Sequence, residues 1–481
     1  MANDTNPKAR AIAAFAEMFF EKARTKTSLS DLEREAIDLG HRCMAEALGL
    51  ALEALNAHLS ANRPKGLRSH DIRPRTLASE VGDVSFSIRR YRDECGCDVH
   101  PLADALDIAY GTRISPGAAE LLAEAAAHVS YAKAARLLAR HGSSIRPQTA
   151  MARVRQAGRL CAEQDEAAAL SLYRDGVVPE AESVEKELCM EADGTYFSVQ
   201  GAAADDAPKR LEVKAMVAYA GKEAKGGKVH GKRCAHHALV GTPEQLWSEG
   251  VASAVGRKYD LSKIERVHLG GDGERWCRDA GRYLPKAEVA FHLDPWHVNH
   301  AVLACFADSK LAWNILEVIN DGGKEEAVAL LEACLDEGLA REKQARSVIS
   351  YLKGSIDHIA LDGPSLGTME SENQHLYGVR MDSFPCAWSV RGASDMARII
   401  SRRESGAQVP GCTREGSKGE RRRGRREGKE LSCYEKQGGS GKVVKSIGSG
   451  YLPPHQADTR KMAPGKAYAL RKGMAIMDRG I

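Results

Sequence analysis

Long apolar runs are missing from this chain of 481 residues. No segment approaches the ~20 consecutive apolar residues that a membrane-spanning helix needs, so no transmembrane helix is expected. No secretory leader is expected: Met1-Ala2-Asn3-Asp4-Thr5-Asn6-Pro7 has no basic region followed by an apolar core. The 12 cysteines are scattered, without the close framework of a small disulfide-stapled domain. With no export signal, reduced thiols in a cytosol are expected. What remains is a globular composition, 43% apolar and 28% charged, long enough for several domains and a sizeable core.

The net charge of +4 conceals an asymmetry. Residues 401–481 hold 19 Lys/Arg and 8 Asp/Glu, a net of +11, which leaves −7 for residues 1–400 (4 − 11). A basic tail on a slightly acidic body suits a polyanionic partner such as nucleic acid, or serves as a solubilising end. Its densest run is Arg421-Arg422-Arg423-Gly424-Arg425-Arg426, and Gly, Arg, Lys and Ser dominate from about residue 405. Such a composition is expected to stay disordered.

The stretch that organises the chain is Glu187-Leu188-Cys189-Met190-Glu191-Ala192-Asp193-Gly194-Thr195-Tyr196-Phe197-Ser198-Val199. It has the pattern of a strand with one carboxylate, Asp193, in an otherwise β-prone run. Asp is depleted from strands, so one held there often has a strong partner, and a metal ion is the usual one. Arg266-Val267-His268-Leu269-Gly270-Gly271-Asp272-Gly273 repeats the theme: a short apolar strand, then Asp272 between glycines that leave room for a ligand. Glu370, in Thr368-Met369-Glu370-Ser371-Glu372-Asn373, opens a helix. Asp193, Asp272 and Glu370 are taken together as one divalent-metal site. Glu372 is close enough to compete with Glu370 for that place.

Around these carboxylates the chain divides into residues 1–60, helical; 61–114, containing a strand near 81–88; and 115–180, three short helices opening at Ser115, Ser130 and Pro147. Cys95, Cys97 and His100 offer three zinc ligands without a fourth, in the wrong spacing for a common knuckle. Two short helices joined by a turn containing Gly142 resemble a helix-turn-helix, in which Gln148, Thr149, Arg153 and Arg155 would face DNA; a helical hairpin with surface arginines is the plainer alternative. Residues 187–300 alternate strands (187–199, 211–219, 234–240, 266–270, 287–293) with helices, giving an α/β mixed sheet. The last strand ends in Asp294-Pro295-Trp296-His297. Residues 301–366 form a helical insertion, 367–404 complete the core with the Glu370 helix, and 405–481 are the tail.

With those residues in view, the chain resembles the Mutator-type DDE transposases, in particular the bacterial insertion-sequence branch of the ISLre type. The resemblance rests on Glu191-Ala192-Asp193-Gly194, on Gly271-Asp272-Gly273 with Trp276, on Leu293-Asp294-Pro295-Trp296-His297, and on Met369-Glu370 followed by Arg380-Met381 and Trp388-Ser389. It covers roughly residues 80–400, with the motifs in the family's order. It departs at Leu366-Gly367-Thr368-Met369, where the branch more usually has a Cys-Ser-Ala run, and in the Arg/Gly tail, either an extra DNA-binding arm or a shifted-frame remnant.

The resemblance implies an RNase H-like core preceded by the helix-turn-helix-like region. Asp193, Asp272 and Glu370 would bind two Mg²⁺ ions, with Mn²⁺ able to substitute. Asp294, His297 and Asn373 would support them. Apart from the resemblance, the charge run places Arg421, Arg422 and Arg423, with Arg380, beside Arg153 and Arg155 as residues expected to contact DNA. The resemblance further implies cleavage at the inverted repeats of the chain's own element, transfer of the 3′-hydroxyl to target DNA, an oligomer on DNA, and a place on the nucleoid in a bacterial cytoplasm. The alternatives are a catalytically silent DNA-binding regulator and a metal-dependent nuclease without strand transfer.

Overall fold

The computed structural model describes residues 7–411 except 26–27, 107, 109–110, 201–209, 226–227, 285, 356–357, 360–363, 365 and 384–385. The arginines Arg421, Arg422 and Arg423 lie outside the described residues. No helix among the described residues is long and apolar enough to cross a membrane. The chain forms two compact units, residues 7–162 with 408–411, and residues 163–407.

In the first unit, α1 (Pro7–Ala23) precedes α2 (Leu29–Ala61), a single long helix. Its cap is Ser28, whose hydroxyl accepts from Asp31 N at 3.2 Å, two residues before the start expected from Ser30-Asp31. A hairpin of β1 (Arg68–Ser79) and β2 (Gly82–Arg92) follows, with short β3 (Asp98–Val99) beside β2 and then α3 (Pro101–Ala105). The sequence suggests only the second long strand, because Pro74 argues against the first. Pro74 is tolerated because β1 is the edge of its sheet. Val84, Phe86 and Ile88 of β2 bury one face with Leu77, Ala45 and Leu102. The three expected helices are present: α4 (Pro116–Ala126) and α5 (Tyr131–Arg140) start on the side-chain caps Ser115 and Ser130, and α6 (Pro147–Tyr173) opens on its proline.

The second unit is built on a five-stranded sheet: β4 (Glu187–Ser198), β5 (Arg210–Tyr219), β8 (Ala235–Leu239), β9 (Arg266–Gly271) and β10 (Glu288–Leu293). A small hairpin, β6 (Lys222–Lys225) and β7 (Lys228–Gly231), lies between β5 and β8 and has no counterpart in the sequence reading. The strand order is β10-β9-β4-β5-β8. The first three run parallel, and β5 is antiparallel to both its neighbours.

Side chains alternate across a sheet, which gives this one two chemically distinct faces. One carries Leu188, Met190, Ala192, Met216, Ala218, Val267 and Leu269. These pack against α7 (Pro243–Glu249) and its π-helical continuation Gly250–Val255, which α8 (Gly256–Lys258) ends. Thr242 caps α7 in a reciprocal box with Gln245, and Pro243 takes the first position, as its sequence suggests. The opposite face carries Cys189, Glu191 and Asp193 on β4, with His268 and Gly270 on β9. Two further stretches approach this face. One is a helical run of α14 (Met369–Glu372), a π-turn (Asn373–Gly378) and α15 (Val379–Met381). The other is α16 (Val390–Glu404), packed on β8 and β5.

Between β9 and β10 lie α9 (Arg275–Arg278) and a 3₁₀ turn. After β10 come α10 (Pro295–Ala304), α11 (Ser309–Asn320), α12 (Lys324–Asp336) and α13 (Glu342–Ser355). These four helices bury a core of their own, including Val302, Phe306, Ile315, Leu331 and Leu352. That agrees with the expected helical insertion.

Candidate metal centre

The parallel register sets three aspartates in one row. Glu191 is the last residue of β4 paired with β9, opposite Gly270; Asp193 follows Glu191 by two residues and Asp272 follows Gly270 by two. Gly271 pairs with Leu293, so Asp294 follows Asp272 on the next strand. Asp272 and Asp294 follow the carboxyl ends of β9 and β10, where ligands gather in open α/β sheets, while Asp193 lies within β4, just past its pairing with β9.

Asp193 is held on both oxygens. Oδ1 accepts from Gly194 N at 2.7 Å, and Oδ2 from the Asn373 amide at 2.8 Å. Asp193, His297 and Glu370 each bring one ligating atom within 4.8 Å of the others. Asp272 is not in that trio. Its Oδ1 accepts from Glu274 N at 2.8 Å, its backbone carbonyl accepts from the Tyr351 hydroxyl at 2.9 Å, and the Cys277 thiol lies 3.8 Å from the same carboxylate oxygen. Asp272 still acts on Asp193 through space. Burial, together with the charges of Glu370 and Asp272, pushes the Asp193 carboxyl up to about 8, against the opposing pull of His297.

His297 answers that charge. Burial alone would lower its pKa, but the hydrogen bond and charge of Asp294, with Asp193 and Asp272 behind, raise it to about 10. Its Nδ1 lies 2.7 Å from Asp294 Oδ2. Asp294 also caps α10, accepting from Trp296 N at 3.3 Å, so one carboxylate starts the helix and orients its histidine.

Glu370 and Glu372 part company. Glu372 Oε2 lies 3.2 Å from His236 Nε2 on β8, while Glu370 faces Asp193 and His297. Two residues along a helix turn a side chain through about 200°, so they cannot serve one site. Asn373 follows in the π-turn, an irregularity often found at functional sites. Its Oδ1 is buried and has no hydrogen-bond partner among the described residues.

The donor set fits a hard divalent cation: carboxylate oxygens from Asp193 and Glu370, the neighbouring carboxylate of Asp272, and the spare amide oxygen of Asn373. A second acidic cluster, Asp165, His237 and Glu249, has the same compactness. There the protein supplies its own cations. Arg398 Nη1 lies 2.7 Å from Asp165, Arg398 Nη2 pairs with Glu249, and Arg402 Nη2 lies 2.8 Å from Asp165. That cluster is a buried ion-pair network.

None of the remaining residues marked in the sequence belongs to the Asp193–His297–Glu370 trio. Arg380 is buried, its guanidinium 4.9 Å over the Trp388 ring. It braces the polypeptide beside β4, where Trp388 N donates to Ser198 O at 2.8 Å, and is not presented for contact with a nucleic acid. On α6 Gln148 is exposed, whereas Thr149, Arg153 and Arg155 are half-buried and Arg153 donates to Gln156 Oε1 at 2.8 Å. Among the described residues, Cys95, Cys97 and His100 form no metal-ligating group: both thiols are exposed and the histidine is buried.

One group with no assigned role in the sequence reading is Glu191, although its place two residues before Asp193 on the same strand face marks it. Its carboxylate accepts from the backbone of Gly367, Thr368 and Met369, and from the hydroxyls of Tyr219 and Thr368.

Residues 22–421 match the uncharacterised protein family UPF0236, and the chain belongs to that family. It is similar to UPF0236 proteins of Caldanaerobacter subterraneus subsp. tengcongensis. One, whose name joins four locus designations, is 26% identical over 335 residues, covering 67% of this chain and 66% of the relative. A second, whose name joins eleven, is 25% identical over 334 residues, with 67% and 66% covered. A third, named for two loci, is 26% identical over 335 residues, covering 67% of this chain and 63% of its own. The chain thus spans slightly under two thirds of the length of these relatives.

Proposed function

We propose that this chain is a DNA transposase of the DDE type, with an RNase H-like catalytic core, that cuts at the ends of its own element and joins the freed 3′-hydroxyl to target DNA. The observation that carries the reading is the clustering of Asp193 and Glu370 with His297, with Asp272 near enough to act on Asp193 through space, from segments far apart in sequence. A five-stranded sheet in which β5 runs opposite to the other four strands, and the motif order of the Mutator-like enzymes, agree with it. So does the naming of one relative for eleven loci in one organism, the pattern left by a gene that copies itself.

Asp193 and Glu370 would hold Mg²⁺ or Mn²⁺, with Asp272 completing a second position. When bound, the ions activate a water or 3′-hydroxyl oxygen and stabilise the leaving oxygen of an in-line displacement at phosphorus. The chain's own residues set the stage. Asn373 and Gly194 N fix the Asp193 carboxylate, and Asp294 fixes His297. The His297 imidazolium offsets carboxylate charge and lowers the repulsion met by an incoming phosphate. DNA held through the α5–α6 region, where Gln148 is exposed and Thr149, Arg153 and Arg155 are half-buried, would supply the substrate.

The test is a cleavage assay on labelled duplex carrying the inverted repeats that flank the gene, in Mg²⁺, Mn²⁺ or EDTA. Metal-dependent nicks at the repeat boundary, joined products, and loss of both in Asp272→Asn are expected. Repeat binding without cutting in either metal would replace this reading with that of a DNA-binding regulator. Cutting without joining would leave a nuclease.

A further inference from the structure

Glu191 is 2% exposed, yet it is a carboxylate in the middle of a sheet. Burying a charge in that way is costly unless hydrogen bonds replace its water. Here they do. Oε2 accepts from Gly367 N and Thr368 N, each at 2.8 Å, and from Met369 N at 3.2 Å. Oε1 accepts from the Tyr219 and Thr368 hydroxyls.

The three amides open the helix that carries Glu370. Thr368, at the cap position, makes no side-chain cap bond of its own; its hydroxyl is turned to Glu191 instead. The sheet therefore supplies the capping carboxylate, from 176 residues away in sequence. Gly367 has φ +95°, a left-handed turn that lets successive amides converge on one anion. Opposite Glu191 on β9 stands Gly270, where a Cβ would lie 3.1 Å from Glu191 Cγ and 3.3 Å from Leu366 Cδ1. Any larger residue would push the carboxylate and the incoming chain apart.

Glu191 and Asp193 share one strand face, about 7 Å apart along the strand. Glu191 grips the start of the Glu370 helix, and Asp193 grips Asn373 one turn later. The strand and the helix are thus fastened at two points, with Glu370 between them. We infer that Glu191 is a positioning residue: it sets the distance between Glu370 and Asp193 and so makes the metal centre. This inference rests on the proposed function for what the centre does, but not for the fastening itself.

The experiment compares the full-length parent with Glu191→Gln, Tyr219→Phe and Leu246→Ala. Leu246→Ala destabilises the same sheet from its apolar face, far from the carboxylates. Mn²⁺ binding is followed by electron paramagnetic resonance, and hydrogen exchange is read at the amides of 367–369. Glu191→Gln is expected to weaken Mn²⁺ binding about tenfold or more, the usual size for a group that orients a ligand. The 367–369 amides should exchange at least about tenfold faster while β4 and β5 stay protected. Tyr219→Phe, which removes one bond and keeps the fold, should move both readings the same way by less.

Equal loss of Mn²⁺ affinity in Leu246→Ala would reduce Glu191 to a structural role and overturn the inference. So would Mn²⁺ affinity and exchange within twofold of the parent in both Glu191→Gln and Tyr219→Phe. If the parent binds no Mn²⁺, the proposed function falls, and the exchange data alone decide whether Glu191 holds the helix.

Discussion

Asn373 donates its side-chain amide to Asp193 Oδ2 at 2.8 Å across 180 residues of sequence. The bond leaves the amide oxygen buried and free to accept among the described residues, on the side of the molecule where the carboxylates meet. Asn373→Leu keeps the volume and removes both atoms. Its expected effect is an approximately tenfold loss of Mn²⁺ affinity with little change in duplex binding, checked by titration calorimetry and gel shift on the same samples.

Asp193 gives a pH prediction whose sign runs opposite to that of an ordinary salt-bridged carboxylate. Its folded pKa, near 8, lies above the unfolded value of 3.8. Between those values the folded chain binds the extra proton, so stability falls as pH rises through the window. Asp193→Asn removes the penalty. In EDTA at pH 8 the variant should be more stable than the parent by on the order of 1–3 kcal/mol, and the difference should vanish near pH 4. Thermal melts at the two pH values decide it; a variant less stable than the parent at pH 8 would refute it.

His237 should make the second unit acid-sensitive. Burial holds its pKa down near 3, with the cations Arg398 and Arg402 adding to the effect and Asp165 opposing it. The unfolded chain takes up a proton at about 6.5 and the folded chain resists it, so stability is lost as pH falls from there towards 3. His237→Gln should flatten that part of the stability profile by a few kcal/mol, about what a shift of this size implies. Denaturant melts between pH 4 and 7 provide the measurement.

Arg398 binds Asp165 and Glu249 together, both of them buried. Arg398→Met keeps the length of the side chain and strands the Glu249 carboxylate, while Asp165 keeps Arg402. The expected loss is about 3–5 kcal/mol. Replacing all three ionic residues by apolar ones should recover much of it, because the desolvation cost goes with them. Urea unfolding of the single and triple variants distinguishes a structural ion network from a metal site, whose loss would depend on added cation.

Much of the second unit could be read from local pattern. The strands of Asp193 and Asp272 announced themselves by apolar runs broken by a carboxylate, and Thr242-Pro243 marked the start of α7. The choice between Glu370 and Glu372 could not be made locally, since it turns on which helix face meets β4; His236, 136 residues away, takes Glu372. The partner of Arg380 was hidden for the same reason: it is an aromatic ring that only the folded chain brings beneath it. β1 hid behind Pro74, because tolerance for proline depends on being at an edge, which is a property of the sheet. Glu191 was visible as a residue and silent as a function, because its five donors come from two distant segments.

The four-helix insertion has a consequence for the order in which the molecule comes off the ribosome. β4, β9 and β10 emerge before it, while the helix bearing Glu370 follows. A nascent chain that has reached residue 366 can pair its strands and bury their apolar face, yet Asp193 and Asp272 still lack their third carboxylate and Glu191 has nothing to grip. Under the proposed function, a partly made or prematurely terminated copy is therefore harmless to the chromosome that encodes it. The capacity to cut arrives late, in one step, with the last helices.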